Sequence, residues 1–358
     1  MPTLFVIPTG VGCSVGGFAG DAIPSARLLA AASGCLITHP NVMNAGSLYW
    51  RDPSIHYVEG YSLDRFAAGE ITLKMVRQQR IGLLLDAGLE LELRQRHLQV
   101  VDACRASLGL MIGPIATTDL PIEILLNHET DSASWGEIVN PEVLLRAGES
   151  LKHAGASAIA VVTRFPDFSD NDSIKEYRHG KGVDIYGGAE AVISHLLVRH
   201  LSIPCAHAPA LNSLPVDPDL DPRAAAEEIG YTFLPSVLVG LSDAPDLILR
   251  TNESNCSNLD DSYVVKSEQL GAIVAPEGAL GGEAVLACIE RGVPLIAVSN
   301  PGLMKVTTDS LGLNKELVNN EDLRCIHVRN YVEASGILLA LREGISLETL
   351  DRPLKKSS

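Results

Sequence analysis

Short, wholly apolar runs alternate with longer amphipathic stretches along the chain, and glycine or proline separates the two. TLFVIP at residues 3–8, LIT at 36–38, RIGLLLD at 80–86, SAIAVVT at 157–163, AIV at 272–274 and LIAV at 295–298 predict strands. Amphipathic spacing predicts helices over residues 25–32, 89–108, 140–153, 189–200 and 331–342. Ser25 is placed as an N-cap with Gly34 as the stop, and Asn140 caps a helix whose first position is Pro141. Shorter strands are expected at 107–114, 121–127, 202–205, 247–250 and 322–328. Strands apolar on both sides belong to a parallel sheet covered on both faces. The expected fold is therefore α/β, with mostly parallel sheets, helices on both faces and a Rossmann-like plan, as one large domain or two lobes. The acidic, proline-punctuated loop from Asp217 to Asp221 divides it into residues 1–215 and 216–350, followed by a tail at 351–358.

One stretch carries this pattern most compactly. Residues 269–302 read as strand, glycine-rich turn, helix and strand, with Gly281 and Gly282 opening the helix and Gly292 closing it in a left-handed cap. In parallel sheets ligands bind beyond the carboxyl ends of the strands, where helix N-termini attract anions. Gly278, Gly281 and Gly282 are thus a candidate cradle for a phosphate or carboxylate, or an ordinary tight turn. GGAEAVISHLL, from Gly187, repeats the design of GGEAVLACIE, from Gly281.

Composition narrows the partners. The 358 residues are 46% hydrophobic but only 4% aromatic, which gives an aliphatic core. A net charge of −16 argues against nucleic acid or an anionic membrane as partner. Seven scattered cysteines without a CxxC pair point to reduced thiols, and no apolar run approaches the ~20 residues of a membrane span. A soluble, cytoplasmic protein is expected. The aromatic segment 47–64 is read as irregular, lining the cleft or a subunit contact of a homo-oligomer.

Candidate chemistry sits at the strand ends. After the first strand, Gly10, Gly12, Ser14, Gly16 and Gly17 form a loop that matches neither G-x-G-x-x-G nor a Walker motif. It is either a backbone cradle or a flexible turn, and Cys13 and Ser14 within it are candidate nucleophiles. His39, Asn41 and Asn44 follow the second strand as a polar tip, with His39 a general acid–base or a turn cap. Arg178, His179 and Lys181 form a cationic clamp beside Asp184 and the glycines at 187 and 188. Cys205 and His207, two apart, are a nucleophile pair or a buried thiol with a capping histidine. Glu277 or Glu283 is suited to hold a ribose hydroxyl, and Asn300 ends the last strand of the βαβ unit.

PTGVGCSVGGFAGDA, THPNVMNA, HGKGVDIYGG, PCAHAPA and APEGALGGEAV together resemble an uncharacterised domain-of-unknown-function family from oxygenic photosynthetic organisms, over nearly the whole chain. That resemblance implies no activity. GALGGEAVLACIERGVPLIAV is similar to the nucleotide-sugar-binding segment of two-lobed glycosyltransferases, which implies a diphosphate cradle. Their N-terminal Gly-Gly-His is replaced here by Gly16-Gly17-Phe18.

Four readings follow. The first is an enzyme that binds a phosphorylated or nucleotide-linked small molecule, with His39, His179 or His207 moving protons; the sequence names no cofactor. A metal-dependent hydrolase using His39, His179, His207 and Asp184 is the second, although their spacing forms no metal motif. The others are a non-catalytic metabolite-binding or assembly protein, and cysteine-based isomerisation through Cys13 and Cys205.

Overall fold

The computed structural model describes residues 1–8, 18–48, 51–128, 134–167, 172–228, 232–250, 263–300, 305–313, 325–350 and 352–354. Its strands are β1 (Pro2–Phe5), β2 (Cys35–Thr38), β3 (Ile55–Tyr57), β4 (Ile71–Lys74), β5 (Ile81–Leu85), β6 (Ile112–Thr117), β7 (Ile124–His128), β8 (Ser134–Ile138), β9 (Ala158–Arg164), β10 (Cys205–Ala210), β11 (Asp246–Leu249), β12 (Val264–Val265), β13 (Ala272–Pro276), β14 (Leu295–Val298) and β15 (Cys325–Val328). The helices are α1 (Ile23–Ser33), α2 (Pro40–Met43), α3 (Gly60–Ala67), α4 (Leu91–Leu108), α5 (Pro141–His153), α6 (Asp172–Arg178), α7 (Gly187–Leu201), α8 (Pro222–Glu228), α9 (Leu234–Leu241), α10 (Glu283–Glu290) and α11 (Tyr331–Arg342).

Two parallel sheets organise the molecule. The larger runs β15-β14-β13-β1-β2-β3, with every neighbouring pair parallel. Counted in its own chain order this is 3-2-1-4-5-6, the doubly wound Rossmann arrangement, and its switch point lies between β1 and β13. The smaller runs β10-β9-β5-β6, also all parallel. In its own order it is 2-1-3-4, with the switch between β5 and β9. The α/β fold expected from the apolar runs is present. The larger sheet takes three strands from each side of residue 215, and the smaller one, residues 81–210, is inserted between them. Two antiparallel additions, β11-β4-β12 and β7-β8, complete the strands.

One apolar cluster contains Phe5 and Leu36 of the larger sheet, Leu83 and Ala160 of the smaller, and Leu234 and Leu238 of α9. Each fully buried leucine or phenylalanine of this cluster contributes about 1.5–3 kcal/mol. A second cluster covers the far face of the smaller sheet with α5 and α7. A third covers the far face of the larger with α3 and α10.

Local structure corrects several boundaries. The cap of α1 is Ala22 rather than Ser25, because Pro24 already occupies the first turn; Gly34 does close the helix, at φ 78°. The segment read as irregular contains β3 and most of α3. Their few apolar residues, with Glu59 capping α3 by accepting from the Ser62 amide, gave too short a period to be seen. At the switch point of the smaller sheet, the Asp86 carboxylate accepts from the amides of Gly88, Ile122 and Arg164. That strand end is filled by the chain itself.

Candidate functional site

The carboxyl ends of β1, β2 and β3 open into a cavity of about 290 Å³, closed from the other side by α7 and β10. The site therefore lies where the two sheets meet.

β2 delivers its polar tip to this cavity. His39 caps α2 ahead of Pro40. Its Nε2 accepts from the Ile7 amide at 3.0 Å, and the Asn41 side chain donates to the Ile7 carbonyl at 3.2 Å. A backbone amide can only donate, so Nδ1 carries the imidazole proton. Burial, then the nearby His195, lowers the His39 pKa to about 4. His39 is thus a neutral hydrogen-bond donor at physiological pH, and its role as an acid–base gives way to that. Asn44 accepts from the Tyr57 hydroxyl at 3.1 Å and also lines the cavity.

Two helix N-termini reach the same cavity, at Gly187 of α7 and at Gly282 before α10. Each already holds a carboxylate of this chain. Asp184 accepts from the Tyr186 amide at 2.9 Å and from that of Gly187. Asp64, 220 residues away in sequence, accepts from the Ala284 amide at 3.0 Å. Desolvation outweighs these bonds and raises Asp184 to about 7 and Asp64 to about 6.

Glu59 bonds the His195 ring at 3.2 Å. Burial lifts Glu59 to about 8 against the opposing amides of Tyr61 and Ser62, and burial also lowers His195. Both shifts describe an uncharged pair near neutral pH. Deeper in, Asp184, Glu190 and Glu227 face one another. After desolvation, the charge of Glu190 is the next cause holding Asp184 up. Glu227 is raised well above the carboxylate range by burial and then by Asp184, although the Tyr177 hydroxyl donates to it at 2.8 Å.

His207 bridges this cluster to the core. Its Nδ1 lies 3.3 Å from Glu190, and its Nε2 bonds the Thr163 hydroxyl. Hydroxyl, imidazole and carboxylate in series resemble a nucleophile relay, but the hydroxyl is the buried end: Thr163 is 0% exposed. The series fixes Glu190 rather than activating Thr163. Cys205 is fully buried, bonds the Ile203 carbonyl at 3.4 Å and has its pKa raised well above the thiol range. The Cys205–His207 nucleophile pair, and isomerisation through Cys205, are not supported by that geometry.

Of the residues singled out from sequence, His39, His207, Asp184, Asn41, Asn44, Gly282 and Glu283 line the cavity. Glu283 is held by Arg65. Arg178 borders an adjoining pocket, spent on Glu228 at 2.7 Å and on the Pro215 carbonyl. His179 bonds Asp217 at 2.9 Å, away from the other histidines, which removes it from the proposed metal set. Lys181 is exposed and lines neither space. Glu277 accepts from the amide and hydroxyl of Thr308. It lies outside the cavity, as do Asn300, Gly278 and Gly281. Gly278 bridges to Val306, and a Cβ on Gly281 would stand 3.2 Å from the Val306 side chain, so these glycines serve the turn itself. Gly10, Gly12, Cys13, Ser14, Gly16 and Gly17 lie outside the described residues. Among the described residues no group of three or more His, Cys, Asp or Glu is arranged to hold a metal ion, and no helix is long and apolar enough to cross a membrane.

Sequence reading missed Glu59, Asp64, Glu190, His195 and Glu227. One signal was present: Gly187, Glu190, Ala191, Ser194 and His195 recur at helical spacing and give α7 a single small or polar face.

A family model described as "Protein of unknown function (DUF3326)" matches residues 2–351. The chain is also 46% identical over 346 residues to a Synechococcus sp. protein described as an uncharacterized lipoprotein, across 96% of this chain and 92% of that one.

Proposed function

The chain belongs to the DUF3326 family, and we propose that it binds a small molecule carrying a protonated amine in the cavity between its two parallel sheets, where Asp184 and Glu227 give up their protons to solvent as the ammonium group arrives beside Glu190. The observation that carries this reading is the charge of the wall. Glu59, Asp64, Asp184, Glu190 and Glu227 line the cavity, as does Glu283, which Arg65 already holds, and no lysine or arginine lines it among the described residues. Carboxyls crowded in a poorly solvated space stay protonated until a cation joins them. An ammonium group supplies that charge. Nδ1–H of His39 donates to an oxygen of the same ligand.

A phosphorylated or nucleotide-linked ligand, the reading drawn from the glycine-rich turns, fits this wall less well. It would have to displace Asp64 and Asp184 from the amides they occupy and then face the remaining carboxyls. The proposed interaction is accordingly an ion pair between an ammonium group and carboxyls that ionise as it arrives, with no histidine moving the proton. A cytosol-like setting is proposed on the free thiols Cys35, Cys104, Cys205, Cys288 and Cys325; the lipoprotein description belongs to the Synechococcus relative.

Titration calorimetry with ethanolamine, inorganic phosphate and glucose 6-phosphate at pH 6 and pH 8 tests the reading. The free protein holds Asp64 near 6, Asp184 near 7 and Glu59 near 8. A bound cation favours their ionised forms, so binding releases protons and tightens as pH rises through this window. Ethanolamine is expected to bind, more tightly at pH 8, and the phosphates to be silent. Phosphate ester binding with silent ethanolamine overturns it.

A further inference from the structure

Beyond the acid cluster lies a second, smaller pocket of about 70 Å³. It shares Ala19, Asn44, Asp184, Glu190, His207 and Glu227 with the larger cavity, so those residues form the neck between the two. Past the neck the wall is mostly apolar, with Ile174, Val183, Ile185, Leu211, Leu214 and Phe233. The only cation on it, among the described residues, is Arg178, already paired with Glu228 at 2.7 Å. Phe233 takes a left-handed backbone, φ 57°, as the cap of α9. A bulky residue rarely accepts that conformation, which costs of order 1–3 kcal/mol.

On the opposite side of the neck stands His39. It is 8% exposed, its Nε2 is taken by the Ile7 amide, and Nδ1 has no hydrogen-bond partner among the described residues. A donor that deeply buried and aimed at a cavity wall is left for a ligand atom. The site therefore offers three points in a fixed order: a hydrogen-bond donor, an anionic neck and an apolar pocket.

Resting on the amine reading above, we infer that the ligand is an amine whose nitrogen-bearing carbon carries an oxygen-containing arm on one side and an apolar group on the other, as in a 2-amino alcohol or α-amino carbonyl compound with a hydrophobic side chain. The ammonium group sits at the neck between Asp184, Glu190 and Glu227. The oxygen of the arm accepts from His39 in the larger cavity. The apolar group enters the smaller pocket, where each methylene removed from water tightens binding about fourfold.

Calorimetry with ethanolamine, alaninol, valinol and leucinol on the wild-type protein reads the apolar pocket directly. Affinity is expected to climb along the series, by at least about tenfold from ethanolamine to leucinol. Leu214 is only half-buried, so Leu214→Phe fills the pocket with little demand on the fold. That variant is expected to lose the preference for leucinol and keep ethanolamine binding. Equal affinity for all four compounds overturns the apolar pocket and leaves the amine site standing. Silence of all four overturns the amine reading and this inference with it. Loss of ethanolamine binding in a folded Leu214→Phe protein places Leu214 in the cation site and contradicts the division drawn here.

Discussion

Glu190→Gln is expected to weaken amine binding at least about 30-fold while leaving the protein folded and no less stable. Glu190 stands at the neck, 27% exposed, with His207 at 3.3 Å behind it and Thr163 behind that ring. Glutamine keeps the shape and still offers an oxygen to Nδ1–H of His207. What disappears is one negative charge beside the cation, and truncating one partner of a desolvated pair costs about 2–5 kcal/mol. Burial, and after it this charge, raises Asp184; burial, then Asp184 and more weakly this charge, raises Glu227. Removal of the Glu190 charge relieves like-charge repulsion in the free protein, so the thermal midpoint should hold or rise. Calorimetry and a melting curve on the same sample separate the two effects. Wild-type affinity in Glu190→Gln would remove the acid cluster from the site.

Gly20→Ala is expected to act through the backbone, lowering stability by about 3 kcal/mol and the affinity with it. Gly20 has φ 89°, and a Cβ built there stands 1.8 Å from the Asn44 carbonyl oxygen. Its amide donates to the Asn41 carbonyl at 2.8 Å. The turn before α1 is thereby pressed against α2, whose Asn41 and the following Asn44 form part of the cavity wall. Alanine adds the cost of a left-handed conformation and an overlap that only a shift of α2 relieves, each roughly 1–3 kcal/mol. Gly282→Ala is the control. Gly282 borders the same cavity, its φ is −69°, and nothing stands within 4 Å of a Cβ there. It should cost less than about 1 kcal/mol. A Gly20→Ala protein that melts like wild type would contradict the close approach.

These cases show what the sequence could and could not reveal. Buried strands such as β5, β9 and β14 advertise themselves, because a parallel sheet covered on both faces needs unbroken apolar runs. The helix ends at Pro141 and Gly34 are equally local signals. Polar residues at the end of β2 and in the glycine-rich stretch before α7 are local signals too, and the structure places His39, Asn41 and Asp184 along one cavity. Pairing is another matter. That β1 lies between β2 and β13, with residues 81–210 inserted, depends on contacts far apart in sequence. So does the sign of the site. Glycine-rich turns before α7 and α10 promise an anion cradle, and only the fold brings Asp184 and Asp64 onto those amides. Glu190 stands in the helix start GGAEAVISHLL, and nothing near it in sequence announces Glu227 or Glu59 as its companions.

Buried Asp184 and Glu227 at the neck hold protons near neutral pH until a cation arrives. Titrating ethanolamine at pH 7 in two buffers of different ionisation enthalpy counts the protons exchanged on binding. Net release of protons is the expected result, because Asp184 and Glu227, both raised above the ordinary carboxylate range, ionise when the ammonium group arrives. Binding without proton exchange, or with proton uptake, would contradict the account.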